Sequence, residues 1–356
     1  MADEPLLPDY DGACITNVVP ALLHLDEGPP AWVPAAALEA ERVVLLVIDG
    51  LGWTQLQSRR HLAPTLAAMA GSAITTVAPS TTATALTSIS TGLPPGEHGV
   101  MGYRIAVGGD VLNVLRWTAG TRDARQSIPP SSIQSHAAFG GQRPPVITRA
   151  EFASSGFTMA HLDQVRFTGY RTLGTLTAEL VRLGQAGEPF VYAYYEGLDK
   201  VSHEYGLGAQ YDEELRWIDR LVATLLESLP AGTALVVTAD HGQVETGHDV
   251  QELPSDVLTH VGMQSGEGRF RWLHARSGRS VALLEAVEAQ LGEAAWVRTR
   301  EQAIAEGWYG PKVTDAAASR LGDVLLAAKG TVAFHDPTDT GPYLLVGRHG
   351  SLTEDE

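Results

Sequence analysis

The chain has 356 residues, 44% of them hydrophobic, and a formal net charge of −17. This length predicts one large α/β domain with an inserted subdomain, or two small domains, and the apolar content is enough for a sizeable core. The charge argues against binding to nucleic-acid duplexes, which needs clustered Lys and Arg, but not against phosphate bound through divalent metal ions.

The chain contains one cysteine, Cys14, and lacks any run of about 18 apolar residues. A single cysteine excludes an internal disulfide and a thiolate metal cluster. The acidic opening residues lack the basic and apolar regions of a signal peptide. We therefore expect a cytoplasmic protein that does not span a membrane.

The apolar pattern predicts a parallel sheet, because several short β-branched runs alternate with helical stretches. In chain order, the predicted strands of the main sheet cover 43–48, 73–79, 189–199 and 233–242, and a long helix covers 212–229. A last strand is predicted in "PYLLVG", just before His349. The fold class is therefore α/β, with a doubly wound, mostly parallel sheet flanked by helices.

Residues 38–244 and 331–356 are predicted to form the catalytic core, with an excursion at 104–150 that is rich in Gly, Pro and Ser. Residues 1–37 are expected to pack on this core as an N-terminal extension. Residues 245–330 are predicted to be an inserted α+β subdomain. Its predicted elements are the run "RFRWLHA", a helix around 279–291, a strand "AWVRT" and a helix around 314–328.

Polar residues of metal-binding types follow the predicted strands. Asp49 follows the first strand, Asp199 and His203 follow the third, and Asp240 and His241 follow the fourth. Ligands of an open parallel sheet bind at the carboxyl ends of its strands. Asp199 and His203 are four residues apart and would share one face of a helix, and Gly242 would permit a turn at Asp240 and His241. Carboxylate and imidazole ligands favour zinc, with manganese or iron as alternatives.

The stretch "APSTTATALTSISTG" (78–92) holds eight hydroxyl side chains. Residues 82–91 are predicted to form a helix that ends at Gly92. Thr82 would then lie at the helix N-terminus, where free backbone N–H groups favour an anion such as phosphate. A nearby metal ion could activate its hydroxyl as a nucleophile.

These motifs together resemble the alkaline phosphatase superfamily, and within it the nucleotide pyrophosphatase/phosphodiesterase branch. The resemblance rests on "VIDGLG", "PSTTATALTSISTGLPPGEHGVMGY", "EGLDKVSHEYG", "TADHG" and "GRHGSLTEDE", which occur in the expected order. It covers roughly residues 40–245 and the C-terminal tail. Five motifs in order, each at a predicted strand end, are far more specific than any one alone.

The resemblance implies a site with two zinc ions. One ion would be held by Asp49, Asp240 and His241, with Thr82 as the nucleophile on it. The other would be held by Asp199, His203 and His349. His335 and His248 are alternatives to His349. The implied reaction is in-line displacement through a covalent phospho-Thr82 intermediate, which water then hydrolyses.

One position departs from the branch, which has an Asn three residues after the nucleophile where this chain has Ala85. Either another donor contacts the phosphate or the substrate differs. Arg104, Asn113 and Lys200 are the candidate donors, although Arg104 could equally form a structural ion pair.

The predicted activity is hydrolysis of phosphodiesters or nucleotide pyrophosphates, with a small phosphate ester or nucleotide as substrate. A phosphomonoesterase or phosphonate hydrolase on the same scaffold is the first alternative. A non-catalytic protein that binds nucleotide or metal is the second. A homodimer is compatible with the sequence.

Overall fold

The computed structural model describes residues 4–25, 28, 30–339 and 344–356. The strands in this part of the chain are β1 (Arg42–Ile48), β2 (Arg104–Val107), β3 (Asp110–Asn113), β4 (Thr118–Ala119), β5 (Arg122–Asp123), β6 (Pro145–Arg149), β7 (Arg166–Tyr170), β8 (Phe190–Tyr195), β9 (Thr233–Thr238), β10 (Val244–Glu245), β11 (Val250–Gln251), β12 (Val261–Gly266), β13 (Phe270–Ala275), β14 (Ala295–Thr299), β15 (Val324–Ala328), β16 (Ala333–Phe334) and β17 (Gly347–Arg348).

The α-helices in the same residues are α1 (Val18–Leu22), α2 (Ala35–Leu38), α3 (Trp53–Ser58), α4 (Pro64–Ala68), α5 (Thr82–Thr91), α6 (Pro95–His98), α7 (Pro130–Ile133), α8 (Gly156–His161), α9 (Leu173–Gln185), α10 (Gly197–Tyr205), α11 (Ala209–Ser228), α12 (Ser255–Leu258), α13 (Ser280–Leu291), α14 (Arg300–Ala305) and α15 (Asp315–Ala318). Short 3₁₀ turns cover Ile15–Asn17, Ala138–Gly141 and Ala150–Phe152. Within the described residues, no helix is long and apolar enough to cross a membrane.

The central sheet has five strands in the order β7-β6-β8-β1-β9, and all its neighbouring pairs are parallel. Successive side chains of a strand point to opposite faces. Leu45 and Val47 accordingly pack into one apolar cluster, whereas Leu46 and Ile48 pack into another with helices α9 and α11. Burial on both faces explains why β1 is apolar throughout, and the predicted α/β class with a parallel sheet flanked by helices is confirmed.

A second sheet of four antiparallel strands, β12-β13-β15-β14, is formed by residues 261–328. On one side it packs against α13 in an apolar cluster of its own. On the other side Phe270 and Trp272 join the same cluster as Leu45 and Val47 of the central sheet. The segment thus shares a core with the catalytic part, and its treatment as a separate inserted domain at 245–330 remains a prediction.

Two predicted elements are wrong, and a third lies partly outside the described residues. Residues 73–79 contribute one isolated bridge, between Thr75 and Cys14, and no strand of the sheet. The predicted helix at 314–328 is limited to α15, because its apolar end is β15, a strand buried between two neighbours. The predicted strand "PYLLVG" lies partly outside the described residues, and only Gly347–Arg348 pairs, with β10.

Two strands of the central sheet were not predicted. Strand β6 lies inside the predicted excursion 104–150, and β7 lies between predicted strands where no strand was expected. The remainder of the excursion does leave the sheet, since β2 to β5 form a separate antiparallel sheet of four short strands. Two prolines stand at the start of β6 and several polar residues occur in β7, so neither has the continuous apolar run of β1.

Candidate active site

The carboxyl ends of β1, β8 and β9 bring three aspartates to one edge of the central sheet. Asp49 directly follows β1, Asp199 lies in the first turn of α10 after β8, and Asp240 follows β9. All three are buried. Three carboxylates in one buried place repel each other unless cations neutralise them.

The first cluster consists of Asp49, Asp240 and His241. Their ligand-type atoms lie within 4.8 Å of one another. His241 Nε2 is 3.2 Å from Asp49 Oδ1 and 3.6 Å from Asp240 Oδ2. The same nitrogen is 3.1 Å from the Thr82 hydroxyl, so the predicted nucleophile lies on this cluster.

The second cluster consists of Asp199, His203 and His349. His203 Nε2 is 3.3 Å from Asp199 Oδ2, as the helical spacing predicts, and His349 Nε2 is 3.7 Å from Asp199 Oδ1. Asp199 and His349 also group with His241 within 4.8 Å, and the rings of His241 and His349 stack at 3.6 Å between centroids. The two clusters therefore adjoin.

Each histidine of the two clusters has one nitrogen held by a backbone carbonyl. The Nδ1 atoms of His203, His241 and His349 lie 2.7, 2.9 and 2.8 Å from the carbonyl oxygens of Gly347, Gly242 and Ser80. A carbonyl oxygen only accepts, so Nδ1 carries the proton and Nε2 is left with its lone pair. This is the usual arrangement of histidines that ligate a metal.

The carboxylates show the same division. Asp240 Oδ1 accepts hydrogen bonds from the amides of Gly50 and His241, at 3.2 and 3.1 Å, whereas its Oδ2 is buried with no hydrogen bond. Asp49 Oδ2 accepts from Tyr194, whereas its Oδ1 is buried with no hydrogen bond. A buried oxygen without a partner is costly, and a bound cation would remove that cost.

The pKa values of the cluster residues are shifted by burial and by the neighbouring carboxylates. Burial, and then the charge of Asp199, raises the pKa of Asp49 well above its usual value, and burial also raises the pKa of Asp240. Burial opposes a charge on His241, but Asp240 and Asp49 outweigh it and raise the pKa of His241. A divalent ion would reverse the pattern by favouring the ionised carboxylates and neutral imidazole. The donor set therefore fits two divalent ions.

Thr82 is the first residue of α5, whose N-cap residue, Thr81, makes no side-chain capping bond. The first intrahelical hydrogen bond runs from the Ala85 amide to the Thr81 carbonyl. The amides of the first turn before Ala85 thus have no helical acceptor and can donate to an anion. At the other end Gly92 has φ of 72°, a left-handed cap that glycine adopts without strain.

A family sequence model described as type I phosphodiesterase / nucleotide pyrophosphatase matches residues 43–352 of the chain. The chain belongs to this family. It is a phosphoric ester hydrolase of the alkaline phosphatase superfamily. A search of curated protein sequences finds no match.

Solved structures of other members show the same fold. Murine ectonucleotide pyrophosphatase / phosphodiesterase 5 is 14% identical, with a TM-score of 0.66 over 88% of this chain and 86% of its own. An inactive threonine-to-alanine variant of that protein, in complex with AMP, gives 15% and 0.65 over the same shares. Phosphonoacetate hydrolase from Sinorhizobium meliloti, in complex with phosphonoformate, gives 19% and 0.64 over 89% of each chain.

The residues suggested for substrate binding are engaged elsewhere in the structure. Arg104 is buried and forms an ion pair with Asp336 at 2.5 Å. Asn113 donates to the Tyr103 hydroxyl at 2.7 Å. Lys200 is largely exposed, and its Nζ lies 3.4 Å from the carboxylate of Glu196, the N-cap residue of the same helix. Their assignment to substrate remains a prediction.

The Asn of the resembled branch has no counterpart at position 85. Ala85 is fully buried and belongs to the apolar cluster that includes β1. Of the alternatives to His349, His335 pairs with Glu252 at 2.7 Å and is 44% exposed at its side chain, and His248 is exposed. His98, the last residue of α6, is buried, and its Nε2 lies 2.8 Å from the Ser88 hydroxyl.

Glu267 at the β12–β13 hairpin is a nearby group that sequence reasoning missed. It is buried, and its Oε1 has no hydrogen bond. A Cβ placed on Gly350, beside His349, would lie 2.9 Å from the Glu267 Cδ, so the carboxyl packs against the chain next to the second cluster. Burial raises the pKa of Glu267 to about 8, against a hydrogen bond from Thr81 that lowers it. No pattern in the sequence distinguishes this residue from other glutamates in turns.

Proposed function

We propose that the protein hydrolyses phosphodiester or nucleotide pyrophosphate bonds through a covalent adduct on Thr82, at a site that binds two zinc ions. Asp49, Asp240 and His241 would hold one ion, and Asp199, His203 and His349 the other. The observation that carries the proposal is the division of donor atoms, because each histidine gives Nδ1 to a backbone carbonyl and Nε2 to a cluster, and Asp49 and Asp240 each keep one oxygen free of hydrogen bonds. Manganese or iron would suit the same donors.

Bound divalent ions would supply charge that lowers the pKa of a nucleophile and stabilises the charge of the transition state. The chain supplies the rest. Thr82 Oγ1 gives up its proton to solvent and bonds to phosphorus, while the bond to the leaving oxygen breaks and that oxygen keeps the electron pair and takes a proton from solvent. Water then attacks the same phosphorus, the Thr82 Oγ1–P bond breaks, and Oγ1 regains a proton as the attacking water loses one.

The N-terminus of α5 would orient the phosphoryl group during both steps. Its free amides point along the helix axis toward the position in front of Thr82, where a phosphate oxygen would accept from them. They compensate in part for the missing side chain at position 85. Burial of Thr82 and His241 limits the access of bulk water to the reacting atoms.

Two features of the related structures support a nucleotide or small phosphate ester as substrate. An inactive threonine-to-alanine variant of the murine relative forms a complex with AMP. Our mechanism likewise predicts that the Thr82→Ala variant of this chain is inactive. The net charge of −17 also fits a small substrate better than a polyanion.

A second candidate is hydrolysis of phosphonates or phosphomonoesters. It is favoured by Ala85, which removes the donor of the phosphodiesterase branch, and by the structural likeness to phosphonoacetate hydrolase. The same clusters and Thr82 would act in either reaction. The two candidates differ in which additional groups contact the substrate.

The test is turnover by purified, zinc-loaded protein of bis-p-nitrophenyl phosphate, p-nitrophenyl phosphate and phosphonoacetate under one set of conditions. The proposal predicts the highest kcat/KM for the diester. A higher kcat/KM for the monoester or for phosphonoacetate would move the protein to the second candidate. Absence of turnover with all three at full zinc loading would contradict both. A homodimer and a cytoplasmic location remain predictions of the sequence.

A further inference from the structure

We propose that Tyr194 and Gln243 are positioning residues that fix one carboxylate in each cluster, and that each controls the affinity of one metal ion. The inference rests on the proposed function, since it assumes that both clusters bind a metal. It goes further by assigning residues that touch neither metal nor substrate. Each donates a hydrogen bond from its side chain to an aspartate of one cluster.

Tyr194 supports Asp49 of the first cluster. It lies on β8 beside Val47 of β1, and its hydroxyl donates to Asp49 Oδ2. The residue is buried, and because a carboxylate oxygen only accepts, the phenol is the donor. With Oδ2 held in this way, Oδ1 is the oxygen left for an ion.

Gln243 supports Asp199 of the second cluster. It is fully buried, and its Nε2 donates to Asp199 Oδ1. Because a carboxylate only accepts, this contact fixes the orientation of the amide. Its backbone is held in turn by Gln55, whose Nε2 donates to the Gln243 carbonyl at 2.7 Å.

Gly50 makes the second contact possible. A Cβ on Gly50 would lie 2.7 Å from Gln243 Nε2 and 3.2 Å from the Asp199 Cβ. Its φ of 74° is also one that other residues rarely adopt. Gly50, which follows Asp49, therefore leaves the space in which Gln243 reaches Asp199. The loop that carries Asp49 of the first cluster thus makes room for a hydrogen bond to the second cluster.

The other contacts that orient the side chains of the cluster residues come from the backbone, apart from the contact of Thr82 with His241. Among the described residues, Asp240 is held by two backbone amides, and the three histidines by backbone carbonyls. Side-chain substitution cannot remove those contacts. Tyr194 and Gln243 are thus the positions at which the support of each cluster can be altered separately.

The experiment measures zinc affinity by competition with a chelator of known affinity, for the full chain and for Tyr194→Phe and Gln243→Leu. Loss of such an outer hydrogen bond typically weakens metal binding about 10–100-fold. We expect two binding steps in the unaltered protein. Each variant should weaken one step by about that factor and leave the other within about twofold, and the weakened step should differ between the two variants.

Tyr192→Phe is the matched control. Tyr192 is buried two residues before Tyr194 on the same strand, but its hydroxyl has no hydrogen-bond partner. Its removal should leave both steps unchanged. If Gln243→Leu does not fold, Gln243→Met removes the amide from a more flexible side chain, and circular dichroism of the metal-free proteins verifies folding.

The outcomes separate this inference from the proposed function. Fewer than two zinc ions bound to the unaltered protein would overturn the proposed function. Two ions bound to it, with Tyr194→Phe and Gln243→Leu behaving as Tyr192→Phe does, would overturn the positioning roles alone. Equal weakening of both steps in either variant would also overturn the assignment of one residue to one ion.

Discussion

The two clusters are built from different parts of the fold. The first takes its ligands from loops that directly follow two adjacent strands, β1 and β9, so the register of the sheet places Asp49 against Asp240. The second takes two ligands from one helix and a third, His349, from a segment 146 positions after His203 in the chain. The first is therefore fixed by the core of the sheet, whereas the second depends on how the C-terminal segment docks.

This difference predicts unequal consequences when a ligand is lost. His241 of the first cluster lies 3.1 Å from the Thr82 hydroxyl, so in our proposal the first cluster acts on the nucleophile. The second cluster adjoins the first through the stacked rings of His241 and His349. Loss of the first should remove activation of the nucleophile. Loss of the second should weaken metal binding and slow turnover, with the nucleophile still supported.

The largest effect is expected for Asp240→Ala. It removes a fully buried proposed ligand of the first cluster and leaves Asp49 as the one carboxylate of that cluster. Loss of metal activation is a loss of several kcal/mol, which corresponds to about 10³-fold or more in kcat/KM. Steady-state kinetics at saturating zinc measure it. A loss below tenfold would contradict the role of the first cluster.

A smaller effect is expected for His349→Ala, which removes one ligand of the second cluster. We expect binding of one zinc ion to weaken by more than the about 10–100-fold that loss of an outer hydrogen bond costs and, at saturating zinc, a smaller loss of kcat than for Asp240→Ala. The control is His335→Ala, an exposed histidine paired with Glu252. If His335→Ala has the larger effect on zinc binding, the assignment of His349 is wrong.

A third test separates support of the fold from substrate binding at Arg104. Its buried pair with Asp336 predicts that Arg104→Met destabilises the protein by about 3 kcal/mol, because a buried carboxylate loses a partner. Arg271, at 3.4 Å, remains to pair with Asp336 and limits the loss. Urea unfolding measures the change. A KM raised tenfold with unaltered stability would instead show that Arg104 binds substrate.

The smallest effect, taken per pH unit, is a change in the free energy of unfolding caused by Glu267. Its folded-state pKa of about 8 lies above that of an unfolded glutamate, so the folded state holds a proton that the unfolded state releases. The wild type therefore loses stability as pH rises from about 5 to 8, by about 1 kcal/mol per pH unit, relative to Glu267→Gln. Denaturation of the metal-free proteins at several pH values measures this. A constant difference between them would contradict it.

The sequence predicted those parts of the molecule that depend on local pattern. Strand β1 is apolar throughout because both of its faces are buried, and the spacing of Asp199 and His203 follows directly from the helical repeat. The helix beginning at Thr82 was predicted from its ending at Gly92. In each case a short stretch of chain contains the determining signal.

The remainder depends on contacts between distant segments. Strand β15 has the composition of a helix end and becomes a strand because it pairs on both sides. Gly242 was expected to permit a turn, but its role is proximity, since a Cβ there would lie 2.1 Å from the Asp355 carbonyl oxygen. Tyr194 reaches Asp49 from the neighbouring strand β8, and Glu267 reaches the second cluster from the β12–β13 hairpin. The residues next to them in the sequence indicate neither contact.

The central claim is that Thr82 forms the covalent adduct, and rapid acid quench during turnover of bis-p-nitrophenyl phosphate, followed by peptide mass spectrometry, tests it most directly. Thr84→Val is the control, because the Thr84 hydroxyl is buried without a partner. The account predicts a substrate-derived phosphoryl group on Thr82 in the wild type and in Thr84→Val, and neither adduct nor turnover in Thr82→Ala. An adduct on another residue, or turnover that persists in Thr82→Ala, would contradict it.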